Sequence, residues 1–187
     1  MFCHERYDFM NRIVKRGATG LLISVFLIFL DQFTKLLAVK YLKGQNPFII
    51  WENVFELRYL ENRGAAFGIM QGQKVFFIIF TSIALIGITW FYLKMIPTDK
   101  KYFFLDVISV LLFSGAIGNL IDRVRLNYVI DFFYFRLIDF PIFNVADIYV
   151  TVAAFAMFGL GLFYYKDEDY DLIFPSKKEK GKKKYAD

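Results

Sequence analysis

The chain has 187 residues, of which 57% are hydrophobic and 20% aromatic, and it carries a formal net charge of +5. Its mean hydropathy of +0.42 is too high for an ordinary soluble domain. The hydrophobic residues gather in blocks long enough to cross a lipid bilayer, which takes roughly 20 helical residues. The composition therefore excludes a soluble globular class and indicates an integral membrane protein.

Four apolar blocks have the length of a transmembrane helix. The first is interrupted after Leu30 by Asp31 and Lys35, but it is longer than the apolar part of a secretory signal and no small-residue cleavage site follows it. We therefore predict a mainly α-helical membrane protein with four retained transmembrane helices. The four blocks span about residues 17–41, 75–93, 102–121 and 145–165.

Lys and Arg residues concentrate before the first block, between the second and third, and after the fourth. Because positive residues near helix ends stay on the cytoplasmic side, both termini are predicted to be cytoplasmic, as residues 1–16 and 166–187. The connections at about 43–74 and 122–144 would then face outward. We expect the charged tail after Asp167 to bury no core, whether it is only solvated or is attracted to anionic lipid headgroups.

The first outer connection carries a strand pattern. Phe48–Trp51 is a short apolar run, and residues 54–60 alternate apolar and charged side chains at period two, which predicts a small extracytoplasmic sheet between helices 1 and 2. In the second connection, the aromatic segment Phe132–Phe143 contains Pro141 and is too short to cross the bilayer. We expect it to lie at the membrane interface and cap the bundle.

The chain has one cysteine, Cys3, and one histidine, His4. This count excludes an internal disulfide framework, a cysteine- or histidine-based zinc site, and a Ser or Cys nucleophile activated by histidine. Any chemistry must use carboxylates, amides or basic side chains. We predict neither a metal nor a cofactor.

Ionisable residues inside membrane helices cost roughly 2.5–3.5 kcal/mol each and are candidates for function. Asp31 and Lys35 lie four residues apart on one helix face. They are either a self-neutralising pair with Lys35 extending outward, or a support for a site. Asn119 and Arg123 are also four residues apart and can point into the bundle, while Asp122 can pair with a basic neighbour.

Two further clusters occupy the outer connections. Asn62 and Gly64 belong to the run 61–68, which can form a plain turn or a close backbone approach to a ligand. Asp131 is enclosed by bulky apolar residues, which would raise its pKa by desolvation, although an aspartate at a turn is the alternative. Asn144 and Asp147 open the last helix and nearly match a capping box.

Asp131 and Asp147 stand sixteen residues apart across one outer connection, so the chain can bring them together. Two carboxylates that share a site cannot both ionise easily, which leaves one as base and one as acid. This is the requirement for aspartic hydrolysis. One carboxylate takes a proton from water while the protonated one polarises the scissile carbonyl.

Five blocks of the sequence, in order, resemble the signature blocks of the lipoprotein signal peptidase family, also called signal peptidase II. They are DQFTK at 31–35, NRGAAFG at 62–68, GNLIDR at 118–123, VIDF at 129–132 and FNVAD at 143–147. The resemblance covers the chain from roughly residue 17 to residue 165.

The resemblance implies an endopeptidase of the bacterial inner membrane that cuts diacylglyceryl-modified prolipoproteins on the N-terminal side of the lipidated cysteine. It implies catalysis by Asp131 and Asp147, and inhibition by the peptide-like compound globomycin. Partners would be the lipidated substrate and membrane lipid, with no nucleic acid, and we expect a monomer. The remaining residues that it places around the substrate or in support are Asn62, Gly64, Asn119, Arg123, Asn144, Asp31, Lys35 and Asp122.

Two alternatives remain at this stage. A small carrier could use the membrane acids to bind protons or cations, but the chain shows no internal repeat of the kind found in such carriers. A non-catalytic lipid- or peptide-binding homologue would keep the fold, and the intact pair Asp131 and Asp147 argues against it.

Overall fold

A computed structural model describes residues 2–64 and 72–174 of the chain. Residues 65–68, the last part of the block NRGAAFG, and the Lys-rich run at 177–184 lie outside the described residues. The elements, in order, are α1 (Phe2–Leu42), β1 (Phe48–Trp51), β2 (Phe55–Asn62), α2 (Lys74–Trp90) with a π-helical turn (Phe91–Met95), a 3-10 turn (Lys100–Tyr102), α3 (Phe103–Leu126), β3 (Val129–Phe135), a 3-10 turn (Arg136–Ile138), α4 (Val145–Phe163) and α5 (Asp167–Ile173).

The four predicted membrane helices are confirmed, because the described residues contain four helical spans long and apolar enough to cross a bilayer. They lie in α1, in α2 with its π-helical turn, in α3 with the 3-10 turn before it, and in α4. α1 begins earlier than the apolar block and runs without a break through residues 2–42. α3 is the central helix, since it packs against α1, α2 and α4. The functional groups on α3 can therefore reach groups on each of the other three helices.

Glycines let α3 and α4 approach closely. A Cβ atom on Gly115 would lie 2.6 Å from the backbone oxygen of Ala146 and 2.7 Å from Cγ2 of Val150. Small residues at helix contacts allow such close packing within membranes. The N-terminal turn of α4 is thereby held directly against the last turns of α3.

The predicted sheet is confirmed and contains a third strand. The strand order is β1-β2-β3, and both pairings are antiparallel. β3 takes the first part of the segment that the sequence assigns to a cap at the interface, and it pairs along β2 with Leu60 opposite Asp131. Asn127 ends α3 in the left-handed conformation, at φ 69°, which turns the chain into this strand. The sheet thus lies at the end of the bundle where α1 and α3 finish and α2 and α4 begin.

The expectation that no residue after Asp167 joins a core is wrong for α5. Ile173 is buried with Tyr102 and Tyr165, and the ring of Phe174 stacks on Phe91. Asp169 accepts hydrogen bonds from Lys101 Nζ at 2.5 Å and from the Tyr102 hydroxyl at 2.8 Å. α5 is rich in acidic residues, so its sequence gives little indication of this small apolar contact.

We predict that Gly115→Ala destabilises the protein by about 1–3 kcal/mol, because the added methyl group meets backbone of α4 that cannot move aside. Gly159→Ala is the matched control, since a Cβ atom there meets nothing within 4 Å. The control should be neutral or slightly stabilising. Thermal unfolding in detergent measures both changes, and equal unfolding temperatures for the two variants would contradict the proposed contact.

Candidate active site

Asp131 lies in β3 and is 1% exposed, with both carboxylate oxygens engaged. Asn62 Nδ2 on β2 donates to Oδ2 at 2.9 Å, and Asn144 Nδ2 donates to Oδ1 at 2.6 Å. The alternative of an aspartate at a turn is therefore wrong. The carboxylate is held by two neutral amides, which orient it without supplying a full positive charge.

Asp147 lies in the first turn of α4 and is part of a capping box with Asn144. Its Oδ2 accepts the backbone N–H of Asn144 at 3.1 Å, while Asn144 Oδ1 accepts the backbone N–H of Asp147 at 3.0 Å. Asp147 Oδ1 also accepts a hydrogen bond from Asn119 Nδ2 at 2.8 Å. The predicted helix cap is thus confirmed, and the same carboxylate contacts α3.

The fully buried Asn144 joins the two aspartates. Its side chain donates to Asp131, its backbone N–H donates to Asp147, and its Nδ2 also reaches Asn119 Oδ1 at 3.1 Å. The sequence predicts that the two carboxylates share a site. In the structure a single asparagine contacts both.

Beneath the aspartates lies a buried ionic cluster of Asp31, Lys35 and Asp122, which we call the Lys35 brace. Lys35 Nζ lies 2.9 Å from Asp31 Oδ2, from Asp122 Oδ2 and from Asn119 Oδ1. Lys35 is 1% exposed, so the interpretation that it extends outward is wrong. Three oxygen atoms inside the bundle accept hydrogen bonds from its ammonium group in place of water.

The Lys35 brace also holds the backbone beside each aspartate. Asp31 Oδ1 accepts the backbone N–H of Ala146 at 2.9 Å, and Asp122 Oδ2 accepts that of Ile130 at 3.1 Å. These two residues immediately precede Asp147 and Asp131 in the chain. One ammonium group therefore links the two backbone segments that carry the two carboxylates.

Gln32 belongs to this cluster, and the sequence reasoning missed it as a site residue. Its Nε2 lies 3.1 Å from each of three acceptors, Asp31 Oδ2, Asp122 Oδ1 and the backbone oxygen of Gly118. Gln32 could have been identified as a candidate because it is a polar side chain next to Asp31 within an apolar helix. Spacing alone could not show that Gln32 faces α3.

Arg123 and Gly64 lie at the edge of the site. Arg123 Nη2 donates to the backbone oxygen of Gly64 at 3.2 Å, and its guanidinium group lies 4.7 Å from the centre of the Phe77 ring. The backbone N–H of Gly64 donates to Asn62 Oδ1 at 3.0 Å. Among the described residues, this chain of contacts connects β2 with α3 and α2.

A cavity of about 480 Å³ runs past both aspartates. Its lining includes polar side chains, among them Asn62, Asn119 and Arg123, and apolar ones, among them Phe140 and Ile148. A smaller cavity of about 170 Å³, among α1, α2 and α3, has no carboxylate in its described lining. The larger cavity can hold a ligand that has both polar and apolar parts.

Burial raises the pKa of Asp131, and the nearby Asp147 carboxylate raises it further, to about 7. The hydrogen bonds from Asn62 and Asn144, and the charge of Lys35, act in the opposite direction but are smaller. Asp131 can therefore take up or release a proton near neutral pH, as general acid–base chemistry requires.

Comparisons with known proteins agree on one family. Residues 23–163 match the family model described as "Signal peptidase (SPase) II". A "Lipoprotein signal peptidase" of Caldanaerobacter subterraneus subsp. tengcongensis is 44% identical over 145 residues, which cover 77% of this chain and 96% of that protein. One from Clostridioides difficile is 45% identical over 132 residues, which cover 71% and 86% respectively.

A solved structure is also similar. It is described as "Bacterial membrane enzyme structure by the in meso method at 2.3 A resolution", and it superposes with a TM-score of 0.72 at 35% identity. The match covers 80% of this chain and 93% of that one.

We predict that Lys35→Met destabilises the protein by about 3–5 kcal/mol, because it leaves Asp31 and Asp122 buried without a cation. Lys43→Met is the matched control, since the Lys43–Glu61 ion pair is exposed and should contribute little. Thermal unfolding in detergent compares the two. If both variants unfold at the wild-type temperature, the Lys35 brace does not hold the structure together.

Proposed function

Because this chain belongs to the signal peptidase (SPase) II family, we propose that it is an intramembrane aspartic endopeptidase in which Asp131 and Asp147 form the catalytic pair. The observation that carries the proposal is that both carboxylates contact Asn144 and line one cavity. The proposed substrate is a diacylglyceryl-modified prolipoprotein, cut on the N-terminal side of its lipidated cysteine.

In the proposed reaction the two aspartates share one proton. The ionised carboxylate removes a proton from a water molecule, and the water oxygen attacks the carbonyl carbon of the scissile peptide bond. The protonated carboxyl donates a hydrogen bond to the carbonyl oxygen and stabilises the negative charge that develops there. When the tetrahedral intermediate collapses, a proton passes to the leaving amine of the lipidated cysteine.

The amides and Arg123 have two kinds of proposed role. Asn144 and Asn119 orient the carboxylates through the hydrogen bonds described above, whereas Asn62, Arg123 and Gly64 line the same cavity as Asp131 and would contact the peptide. The Lys35 brace supports the site without touching substrate. Globomycin, as a peptide-like inhibitor, would occupy the same cavity.

The mixed lining of the cavity fits a substrate that stays anchored in lipid. The polar residues of the lining would bind the peptide, while apolar residues such as Phe140 and Ile148 would contact acyl chains or signal-peptide side chains. We infer from the distribution of Lys and Arg that the site lies on the extracytoplasmic side, with both termini cytoplasmic. Membership of the family supports the bacterial inner membrane as the location. We propose that the enzyme acts as a monomer.

Asp131→Asn and Asp147→Asn should each lower cleavage of a lipidated prolipoprotein by at least about 10²-fold, because neither amide can exchange the required proton. The assay uses purified protein in detergent and follows release of the signal peptide, with globomycin as the inhibitor control. Asp139→Asn is the matched substitution, since Asp139 is exposed and lies outside the described lining of the cavity.

Circular dichroism and thermal unfolding show whether each variant is folded. Wild-type rates in a folded Asp131→Asn or Asp147→Asn protein would remove the catalytic pair from the proposal. Loss of activity in Asp139→Asn as well would mean that the loss is not specific to the pair.

The pKa of Asp131 predicts an alkaline limit to activity. Because its folded pKa is raised to about 7, the pair keeps its shared proton below that pH and loses it above. We expect kcat/KM to fall about tenfold per pH unit above pH 7. A rate that stays constant up to pH 9 would contradict this assignment.

The pH dependence of stability gives an independent check on the raised pKa of Asp131. A carboxyl whose pKa is raised on folding favours the protonated native state, so its contribution to stability decreases as pH rises from about 4 to about 7. Asp131→Asn should remove this part of the pH dependence of thermal unfolding.

A further inference from the structure

Thr151 is an unassigned polar residue in the wall of the catalytic cavity. It lies in α4 four residues after Asp147, so the two side chains are on one helix face, about 6 Å apart along the axis. Among the described residues that line the cavity, it is the one that carries a hydroxyl group. Its neighbours in the wall, Ile148 and Val152, are apolar.

The Thr151 hydroxyl differs from four other hydroxyls in these helices, which are bonded within their own helix. A serine or threonine in a membrane helix commonly donates to the backbone carbonyl four residues earlier, as Ser82, Thr89, Ser109 and Ser114 do at 2.6–2.8 Å. Thr151 is exposed, lines the cavity, and makes no hydrogen bond with the described residues, 2–64 and 72–174. Its donor is therefore available to a ligand in the cavity.

We propose that Thr151 is a substrate-positioning residue whose hydroxyl donates a hydrogen bond to a carbonyl oxygen of the bound prolipoprotein. This inference rests on the proposed function. A carbonyl group brought beside an apolar wall loses its water, and without a donor it would lower affinity. Thr151 supplies that donor one helical turn from the catalytic pair.

Two parts of the substrate carry such a carbonyl oxygen. An extended peptide advances about 3.3 Å per residue, so one helical turn places a backbone carbonyl within two residues of the scissile bond. The diacylglyceryl group on the cysteine also carries ester carbonyls. The chemistry of the contact is the same for both, and the substrate can be varied to separate them.

The test compares Thr151→Val, which removes the hydroxyl and keeps the shape, with Thr151→Ser, which keeps the hydroxyl. Thr151→Val should lower kcat/KM by about 3–10-fold, chiefly through KM, because the contact is made in substrate binding. Its pH profile should match that of the wild type, since no proton-transfer group has changed. Thr151→Ser should retain most of the activity.

Thr89→Val is the matched control, because the Thr89 hydroxyl is occupied by Leu85 and lies outside the described lining of the catalytic cavity. It should leave kcat/KM unchanged. Thermal unfolding of all three variants verifies that they are folded.

Two lipidated substrates identify the acceptor, one with the natural diester and one with a dialkyl ether that lacks both ester carbonyls. A defect in Thr151→Val with the diester alone assigns the contact to an ester carbonyl, and a defect with both assigns it to the peptide. Wild-type KM with both substrates would overturn the role of Thr151 while leaving the proposed peptidase intact. If the wild-type protein cleaves neither substrate, the proposed function itself fails.

Discussion

The site depends on the contact between Lys35 and two buried aspartates. Removing three charged groups from water is costly, and each is matched by close partners: Lys35 has Asp31, Asp122 and Asn119, and the acids also accept two backbone N–H groups. Those N–H groups belong to Ala146 and Ile130. The brace therefore positions two backbone segments from different parts of the chain, and the proposed catalytic carboxylates follow next in sequence.

Neutral amides separate this strong charge cluster from the proposed catalytic pair. Asn119 accepts a hydrogen bond from Lys35 and donates one to Asp147, while Asn62 and Asn144 donate to Asp131. A lysine or arginine in direct contact with Asp131 would hold its pKa low and keep it ionised. Amides give orientation with less stabilisation of the charge, so burial dominates and the pKa of Asp131 remains near 7.

Much of this arrangement could be predicted from the sequence, because hydrophobic block length reports membrane helices and unusual polar residues report a site. The third strand could not, since the run Val129–Phe135 is almost continuously apolar and lacks the alternation of β2. Spacing correctly placed Asp31 and Lys35 on one helix face but gave no information on the partners across the bundle. For the same reason Gln32 was missed, and an outward direction for Lys35 remained one of two open interpretations.

Gly118 lies at the contact between α3 and α4, beside both Asp31 and the start of α4. A Cβ atom on Gly118 would lie 2.5 Å from Asp31 Oδ2 and 3.2 Å from the Cβ of Ala146. A side chain at this position would therefore separate the acid from the backbone N–H that it accepts. It would also move the start of α4, and with it Asp147, away from Asn119. The glycine is thus part of the geometry that holds Asp147 beside α3 in the proposed catalytic site, although it contributes no functional group of its own.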